Sequence, residues 1–208
     1  LLLTLSSSYG TFEHLQLVLI WPKTFCHKQR CIRTPNNFTI HGLWPDNTSR
    51  RLNFCSGDKF NTIQDEDKQN ALEYRWPNLT TTEAVSKKAQ IFWENQYNKH
   101  GTCCSELYDK EAYFDLAIEL KDKFDLLKIL RMHGITPGTS HHTSNQIKNA
   151  VKAVTKGVPN VSCFDNFRGT LTELLEIGIC FNRAADRVID CPLPKSCRPK
   201  GTKGITFP

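Results

Sequence analysis

The sequence of 208 residues predicts a single α+β domain. Strand-like runs lie near both ends of the chain, helical hydrophobic spacing fills its middle, and no internal repeat or low-complexity linker interrupts it. Strands that flank a block of helices favour an α+β domain over alternating βαβ units. The length suits one domain with a substantial core and is short for two.

The strands are predicted from apolar or β-rich runs bounded by turn residues. Residues 15–21 form an apolar run, and residues 38–43 form a second strand that is broken at Pro45. Residues 171–181 and 187–191 are β-rich, with turn residues between them.

The middle of the chain predicts three helices. Residues 82–100 carry apolar side chains three to five positions apart, and residues 111–133 show the strongest apolar face, which ends at a glycine. Residues 144–156 form the third helix, with Ser144 as its candidate N-cap. The polar segment 50–70 predicts exposed loop with some helix.

The composition predicts a soluble globular protein, because 39% of the residues are hydrophobic and 23% are charged. No stretch after the first residues is long and apolar enough to span a membrane. The net charge of +6 suits a polyanionic partner, although charge of this size can equally serve solubility alone.

Nine cysteines favour disulfide bonds in an oxidising compartment. A zinc site is the competing interpretation, but the spacings are irregular and no pair of CxxC knuckles occurs. Since nine is odd, at least one thiol is unpaired within the chain or pairs outside it.

Residues 1–10 resemble the remnant of a secretory signal peptide, with the small residues Ser8 and Gly10 before a cleavage that leaves Thr11 first. An ordinary first strand is the alternative. Four Asn-x-Ser/Thr sequons also suit an extracellular, secreted glycoprotein. Their acceptor residues are Asn37, Asn47, Asn78 and Asn160.

Two of the seven histidines have distinctive surroundings. His41 precedes a glycine and lies near Trp44, whose flat face could stack on a base. His100 lies four residues after Gln96, on one helical face, and directly after Lys99.

Two histidines and a lysine suit the transesterification of RNA. One histidine takes the proton of the 2′-hydroxyl and the other protonates the leaving 5′-oxygen, while the lysine stabilises the extra charge on phosphorus. This chemistry requires no metal or cofactor. The spacing alone does not show that His41 and His100 meet.

Two long motifs carry a resemblance to a known family. Phe-Thr-Ile-His-Gly-Leu-Trp-Pro at residues 38–45 and Lys-His-Gly-Thr-Cys at residues 99–103 resemble the two active-site segments of the T2 family of ribonucleases. Similarity extends over nearly all of residues 11–208. This resemblance implies a single-domain T2-type fold, with an antiparallel sheet packed against several helices.

The sequence is most similar to the pistil S-RNases of the nightshade family, the self-incompatibility ribonucleases of the style. The similarity is carried by Leu-Gln-Leu-Val-Leu, Asn-Asn-Phe-Thr-Ile-His-Gly-Leu-Trp-Pro, His-Gly-Thr-Cys-Cys-Ser-Glu, Leu-Lys-Asp-Lys-Phe-Asp-Leu-Leu and Val-Ile-Asp-Cys-Pro. The polar residues 48–75 match the hypervariable stretches of such proteins, or are an ordinary solvated loop.

The resemblance implies a role for each motif residue. His100 is the general base and His41 the general acid, Lys99 stabilises the transition state, and the first product is a 2′,3′-cyclic phosphate.

The resemblance also implies residues that bind the substrate. Trp44 and Asp46 match the first base pocket, and Trp44 can pack in the core as well. Asn78 and Leu79 match the second base pocket, although a glycan on Asn78 would conflict with tight base contact. Asn95 completes the predicted substrate-binding set.

The implied disulfides are Cys26–Cys31, Cys55–Cys103, Cys163–Cys197 and Cys180–Cys191. Many relatives have a cysteine where this chain has Ser86. Cys104 is therefore the leftover thiol.

Three departures from the family pattern affect the site. Gln96 stands where a glutamate is usual, Asn95 where some members have histidine, and Ile20 where many have a glutamine beside the base pocket. An amide can still bond phosphate oxygens but carries no charge. Loss of one charged hydrogen bond predicts an active enzyme slowed by roughly 10–100-fold.

The predicted function is secreted endoribonuclease activity on single-stranded RNA, as the style-side determinant of gametophytic self-incompatibility. Pollen-side recognition proteins are then candidate partners, and a monomer is the simplest state. A secreted ribonuclease for phosphate recovery or defence is one alternative. A catalytically weakened relative kept for binding is another.

Overall fold

Residues 11–57, 60–165, 171–199 and 204–208 are described in this computed structural model. The predicted signal-peptide remnant, residues 1–10, lies outside them. In chain order the elements are β1 (His14–Ile20), α1 (Pro22–Lys28), β2 (Thr39–Asp46), α2 (Glu66–Arg75), α3 (Glu83–Ala89), α4 (Ile91–Lys99), the 3₁₀ helix η1 (Gly101–Cys104), α5 (Lys110–Lys123), α6 (Leu126–Met132), β3 (Gly138–His142), α7 (Ser144–Thr155), β4 (Asn160–Asp165), β5 (Thr172–Asn182), β6 (Val188–Ile189) and β7 (Ile205–Phe207).

The strands form one sheet in the order β2-β1-β5-β7-β3, and β4 and β6 also pair with β5. The pairings are antiparallel except between β5 and β7, which run parallel. Most of the helices lie between β2 and β4, and β3 separates α6 from α7. The predicted α+β class is therefore confirmed.

β1 is buried along its whole length because both faces of the sheet are covered. On one face Leu17 pairs with Leu43 and Ile179, and α5 packs over this apolar layer, where the Tyr113 hydroxyl donates to the Leu43 carbonyl at 2.8 Å. Alternate residues point to the other face. That second face carries polar side chains and holds the candidate site.

β2 differs from its prediction because it continues through Pro45 to Asp46. Pro45 pairs with Leu15 of β1. Among the described strands β2 lies at an edge of the sheet, so an N–H is not needed on its outer side. The expected break at Pro45 was wrong for this reason.

The helix predicted at residues 82–100 is divided into α3 and α4. Gln90 between them adopts a left-handed conformation, with φ of 52°. Its side-chain amide accepts from the Ile63 N–H at 2.8 Å and donates to the Ile63 carbonyl at 2.9 Å. This tertiary contact stabilises the sharp turn, which hydrophobic spacing alone does not reveal.

The other two helices also differ at their ends. The helix predicted at 111–133 is divided into α5 and α6, because the Asp125 side chain accepts from the Lys128 N–H and begins a new helix. α7 is capped by Thr143 rather than Ser144, and Gln146 completes a capping box with Thr143.

Four disulfides have the pairing that the resemblance implies: Cys26–Cys31, Cys55–Cys103, Cys163–Cys197 and Cys180–Cys191. Cys104 is the free cysteine among the described residues. It is buried, and burial raises the pKa of its thiol to about 12. No helix in the described ranges has the length and apolar character needed to cross a bilayer.

Candidate active site

His41 is the extra residue of a β-bulge, since Leu19 pairs with Ile40 and Val18 with Gly42. A bulge redirects the side chain that it carries. The His41 Nδ1 lies 2.6 Å from Oε1 of Glu176, on β5. A proton on Nδ1 is held by this carboxylate, so Nε2 is the nitrogen that can meet a substrate.

No motif in the sequence points to Glu176 as a site residue. It lies opposite Ile20 of β1, and its side chain is 14% exposed. The available signal was a carboxylate within the apolar strand Leu-Leu-Glu-Ile-Gly-Ile-Cys, where a buried charge needs a partner.

His100 directly follows α4 and stacks on Trp44, with ring centroids 5.3 Å apart. Only 7% of His100 is exposed. Burial lowers its pKa to about 3, and the nearby charges of Lys99, His41 and Arg51 act in the same direction. The imidazole is therefore neutral at neutral pH and able to accept a proton.

Trp44 joins the two histidines, because the His41 ring also packs edge-on against it at 5.3 Å between centroids. The structure thus brings together the residues that the sequence left apart. Gly42 permits this packing. A Cβ there would collide with the Trp44 indole nitrogen and lie 2.6 Å from Gln96 Oε1.

Gln96 and Lys99 lie three residues apart on α4, about one helical turn. Gln96 Oε1 is buried and has no hydrogen-bond partner among the described residues. Lys99 is exposed, and its carbonyl accepts from the Phe54 N–H at 2.8 Å. The adjoining disulfide Cys55–Cys103 also links this loop to η1.

A cleft of about 240 Å³ opens beside His41. It is lined by Asn78 and Leu79, which were predicted for the second base pocket, and by Asn95. Ile20, one of the departures from the family pattern, lines the same cleft. Asn78 Oδ1 accepts from the Thr80 N–H at 3.0 Å. The cleft has the apolar wall and few polar groups of a small-ligand site.

Asp46 does not line this cleft, and only 2% of it is exposed. Its Oδ1 accepts from the Leu52 N–H at 2.8 Å. Burial raises its pKa to about 6, against the opposing effects of the Leu52 hydrogen bond, Arg51 and Lys195. Asp46 was predicted for the first base pocket rather than for this cleft, and its contact with a base stays a prediction.

The sequon at Asn160 also does not fit a glycan. Asn160 is 3% exposed, its Nδ2 donates to the Leu193 carbonyl at 3.1 Å, and its Oδ1 accepts from the Lys195 N–H at 2.5 Å. A sugar on Nδ2 has no room at so buried a position. The other three acceptors, Asn37, Asn47 and Asn78, are partly exposed.

The model of the ribonuclease T2 family matches residues 12–191. The chain belongs to the ribonuclease T2 family. This T2 chain is 53% identical to ribonuclease S-7 of Nicotiana alata over 210 residues, which cover 100% of the chain and 94% of that relative. It is also 47% identical to ribonuclease S-3 of Petunia hybrida over 210 residues, with the same coverage.

Solved structures agree with this T2 assignment. The crystal structure of SF11-RNase of Nicotiana alata, described as associated with gametophytic self-incompatibility, matches with a TM-score of 0.87 and 42% identity, covering 94% of this chain and 98% of that one. RNase NT in complex with 5′-AMP matches with a TM-score of 0.81 and 28% identity, covering 96% and 99%. Membership supports RNA cleavage of the S-RNase kind.

Proposed function

We propose that this chain is a secreted endoribonuclease that cleaves single-stranded RNA by transesterification and releases a 2′,3′-cyclic phosphate. The observation that carries the proposal is the convergence of His41 and His100 on Trp44, each with ring centroids 5.3 Å from it. Two imidazoles that contact the same tryptophan can supply the base and the acid that the reaction needs.

His100 acts as the general base. Because its pKa is lowered to about 3, it is neutral through the whole neutral and mildly acidic range and can take the 2′-hydroxyl proton. A neutral imidazole with so low a pKa is a weak base in the free protein. The negative phosphate of the substrate favours its protonated form and strengthens it during the reaction.

His41 acts as the general acid. Its Nδ1 bonds Glu176, so the carboxylate stabilises the imidazolium and directs Nε2–H toward the leaving 5′-oxygen. The cleft with Asn78 and Leu79 lies on this side, and it would take the nucleoside that leaves.

Lys99 stabilises the charge that develops on the non-bridging oxygens, and the Gln96 amide donates a neutral hydrogen bond to them. The neutral amide is the specific observation that favours a second candidate, a catalytically weakened relative kept for binding. The measured rate of RNA cleavage decides between a slow enzyme and an inactive relative.

The test is cleavage of a fluorescent oligoribonucleotide by the wild type and by His41→Ala and His100→Ala variants. A bell-shaped rate profile that both substitutions abolish, with a 2′,3′-cyclic phosphate detected by mass spectrometry, is the expected result. Wild-type cleavage no faster than in the His100→Ala variant would refute the enzymatic proposal.

We also propose a style-side role in gametophytic self-incompatibility, with pollen-side proteins as partners, on the strength of the S-RNase relatives. Expression in the style that segregates with one incompatibility phenotype tests this role. The alternative is a secreted ribonuclease for phosphate recovery or defence. Expression outside the style that does not segregate with an incompatibility phenotype would favour this alternative.

A further inference from the structure

Phe54 is an aromatic residue that the fold leaves in solvent. Among the aromatic residues in the described ranges, two are exposed, Phe54 by 61% and Tyr74 by 81%. Phe54 lies on the segment that follows β2 and is not part of the buried core. The hydrophobic effect therefore gives little reason for an aromatic side chain at this position.

The backbone of Phe54 is also strained. Its φ is 52°, in the left-handed region that bulky residues avoid. Gln90 and Lys156 share this conformation, but they lie at the ends of α3 and α7, where a left-handed residue is common. Phe54 ends no helix. Strained residues of this kind cluster at functional sites, where the surrounding contacts maintain them.

Contacts with the end of α4 and with η1 hold Phe54 in place. Its N–H donates to the Lys99 carbonyl at 2.8 Å, and the N–H of Cys55 donates to Thr102 Oγ1 at 3.2 Å. The disulfide Cys55–Cys103 closes the same junction, with 4.8 Å between the two Cα atoms. The strain is therefore maintained by the part of the chain that carries the candidate catalytic residues.

The residues just before Phe54 border the candidate site as well. Arg51 lies three positions earlier, and its guanidinium is 5.5 Å from the centre of the Trp44 ring, which also stacks on His100. Trp44 itself is only 9% exposed. An exposed aromatic ring beside arginine and lysine is typical of surfaces that bind single-stranded nucleic acid.

The position of Phe54 along α4 indicates which part of the RNA it meets. Ile91 and Asn95 line the cleft for the leaving nucleoside. The Lys99 carbonyl, which Phe54 bonds, lies at the other end of the helix, about 12 Å from Ile91 at the usual helical rise. His100, the proposed base for the 2′-hydroxyl, directly follows Lys99. Phe54 therefore lies on the 5′ side of the cleaved bond.

We propose that the Phe54 ring is a stacking platform for a base of the RNA on the 5′ side of the cleaved bond. This inference rests on the proposed function and extends it, because it assigns a single-stranded substrate with an unpaired base at that point. Every base has a face that can stack on an aromatic ring. The platform therefore reads no sequence, and a purine should bind more tightly than a pyrimidine because it covers more of the ring.

The substrates are 2′-O-methyl oligonucleotides of five nucleotides with one free 2′-hydroxyl, at the third nucleotide. Only the bond after that nucleotide can be cleaved. Separate versions lack the base of the second, third or fourth nucleotide. A version with no free 2′-hydroxyl cannot be cleaved and gives dissociation constants by fluorescence anisotropy, so binding is measured even if the protein cleaves nothing.

Two substitutions separate an aromatic face from apolar bulk. Phe54→Leu should weaken binding and raise KM about tenfold, the effect of losing one stacked base, with a smaller change in kcat. Removing the stacked base, at the second or third nucleotide, should cost the wild type as much and Phe54→Leu no more than about twofold, because the two losses are one interaction. Phe54→Trp should bind at least as tightly as the wild type.

Phe54→Gly tests the ring apart from the fold. Glycine adopts a φ of 52° without strain, so this variant should unfold at a denaturant concentration no lower than the wild type while losing the same RNA affinity. The matched control is Tyr74→Leu, which removes the other exposed aromatic side chain, on α2. It should retain wild-type affinity for every oligonucleotide.

The platform is refuted if Phe54→Leu binds the intact oligonucleotide as tightly as the wild type, which is also the result expected if the ring meets a protein partner instead. An equal loss in Tyr74→Leu would refute it too. So would a difference between the wild type and Phe54→Leu that disappears only when the fourth base, on the 3′ side, is removed. Base-dependent binding without cleavage would support the platform while refuting the proposed ribonuclease function.

Discussion

Replacing Glu176 by glutamine removes one negative charge from beneath His41 and keeps a side chain of nearly the same size. The carboxylate lies 2.6 Å from His41 Nδ1, with 14% of its side chain exposed and 35% of the histidine side chain exposed. A glutamine oxygen can still accept the Nδ1 proton. Its amide can also donate to Nδ1, which would leave Nδ1 without a proton and disfavour the imidazolium that acts as the acid.

A charge-assisted hydrogen bond contributes about 1.5–3 kcal/mol and a neutral one about 0.5–1.5 kcal/mol. The partial exposure of His41 screens the difference, so about 1–1.5 kcal/mol remains. We expect Glu176→Gln to lower kcat about five- to tenfold.

The assay is single-turnover cleavage of a dinucleotide from pH 4 to pH 9, with thermal unfolding to check that each variant folds. Glu173→Gln is a matched control on the same strand. Glu173 bonds Nδ1 of His27 at 2.7 Å, in the same kind of pair. Activity of Glu176→Gln within twofold of the wild type would show that the carboxylate does not position His41. An equal loss of activity in Glu173→Gln would show the same.

Four other variants or reactions give independent checks. Gln96→Glu should raise the single-turnover rate about tenfold by restoring a charged contact, and an unchanged rate would contradict the predicted cost of the amide. The pKa of Asp46 is raised to about 6, so the native state binds the carboxyl proton more tightly than the unfolded chain does. The free energy of unfolding of the wild type therefore falls as the pH rises from about 4 to 6. Asp46→Asn should remove that fall and gain up to about 3 kcal/mol over the wild type at pH 8 in urea unfolding; equal pH slopes would disprove it. Removing the disulfide Cys55–Cys103, which spans 48 residues, should lower the free energy of unfolding in guanidinium by about 4 kcal/mol. A much smaller decrease would contradict this expectation. Buried Cys104, with a pKa raised to about 12, should resist iodoacetamide at pH 8 in the native protein and react after unfolding, as measured by mass spectrometry.

Local sequence was sufficient where the deciding interactions were local. The apolar run of β1 and the strand that carries His41 were visible as patterns, and the motif around His100 placed it at the end of α4. Family resemblance supplied the disulfide pairing, which spacing could not.

Long-range contacts decided what the sequence did not reveal. Glu176 is separated from His41 by 135 residues, and the turn at Gln90 depends on Ile63, 27 residues away. Strand β7, which pairs with β5, has only three residues, and its partner β3 is exposed over most of its length. Neither strand therefore shows a clear alternation of apolar and polar residues. The burial of Asp46, whose Oδ1 accepts from the Leu52 N–H of the following segment, is likewise a tertiary effect that the sequence did not reveal.

The buried amide of Asn160 also bears on how the chain matures. An oligosaccharide is added to Asn-x-Ser/Thr while the acceptor is still accessible, yet in the finished sheet this side chain holds the backbone of residues 193 and 195. Once residues 193 and 195 have packed on β4, Asn160 is buried and its side chain is no longer accessible. The order of this packing and of any modification would then decide whether Asn160 could carry a sugar.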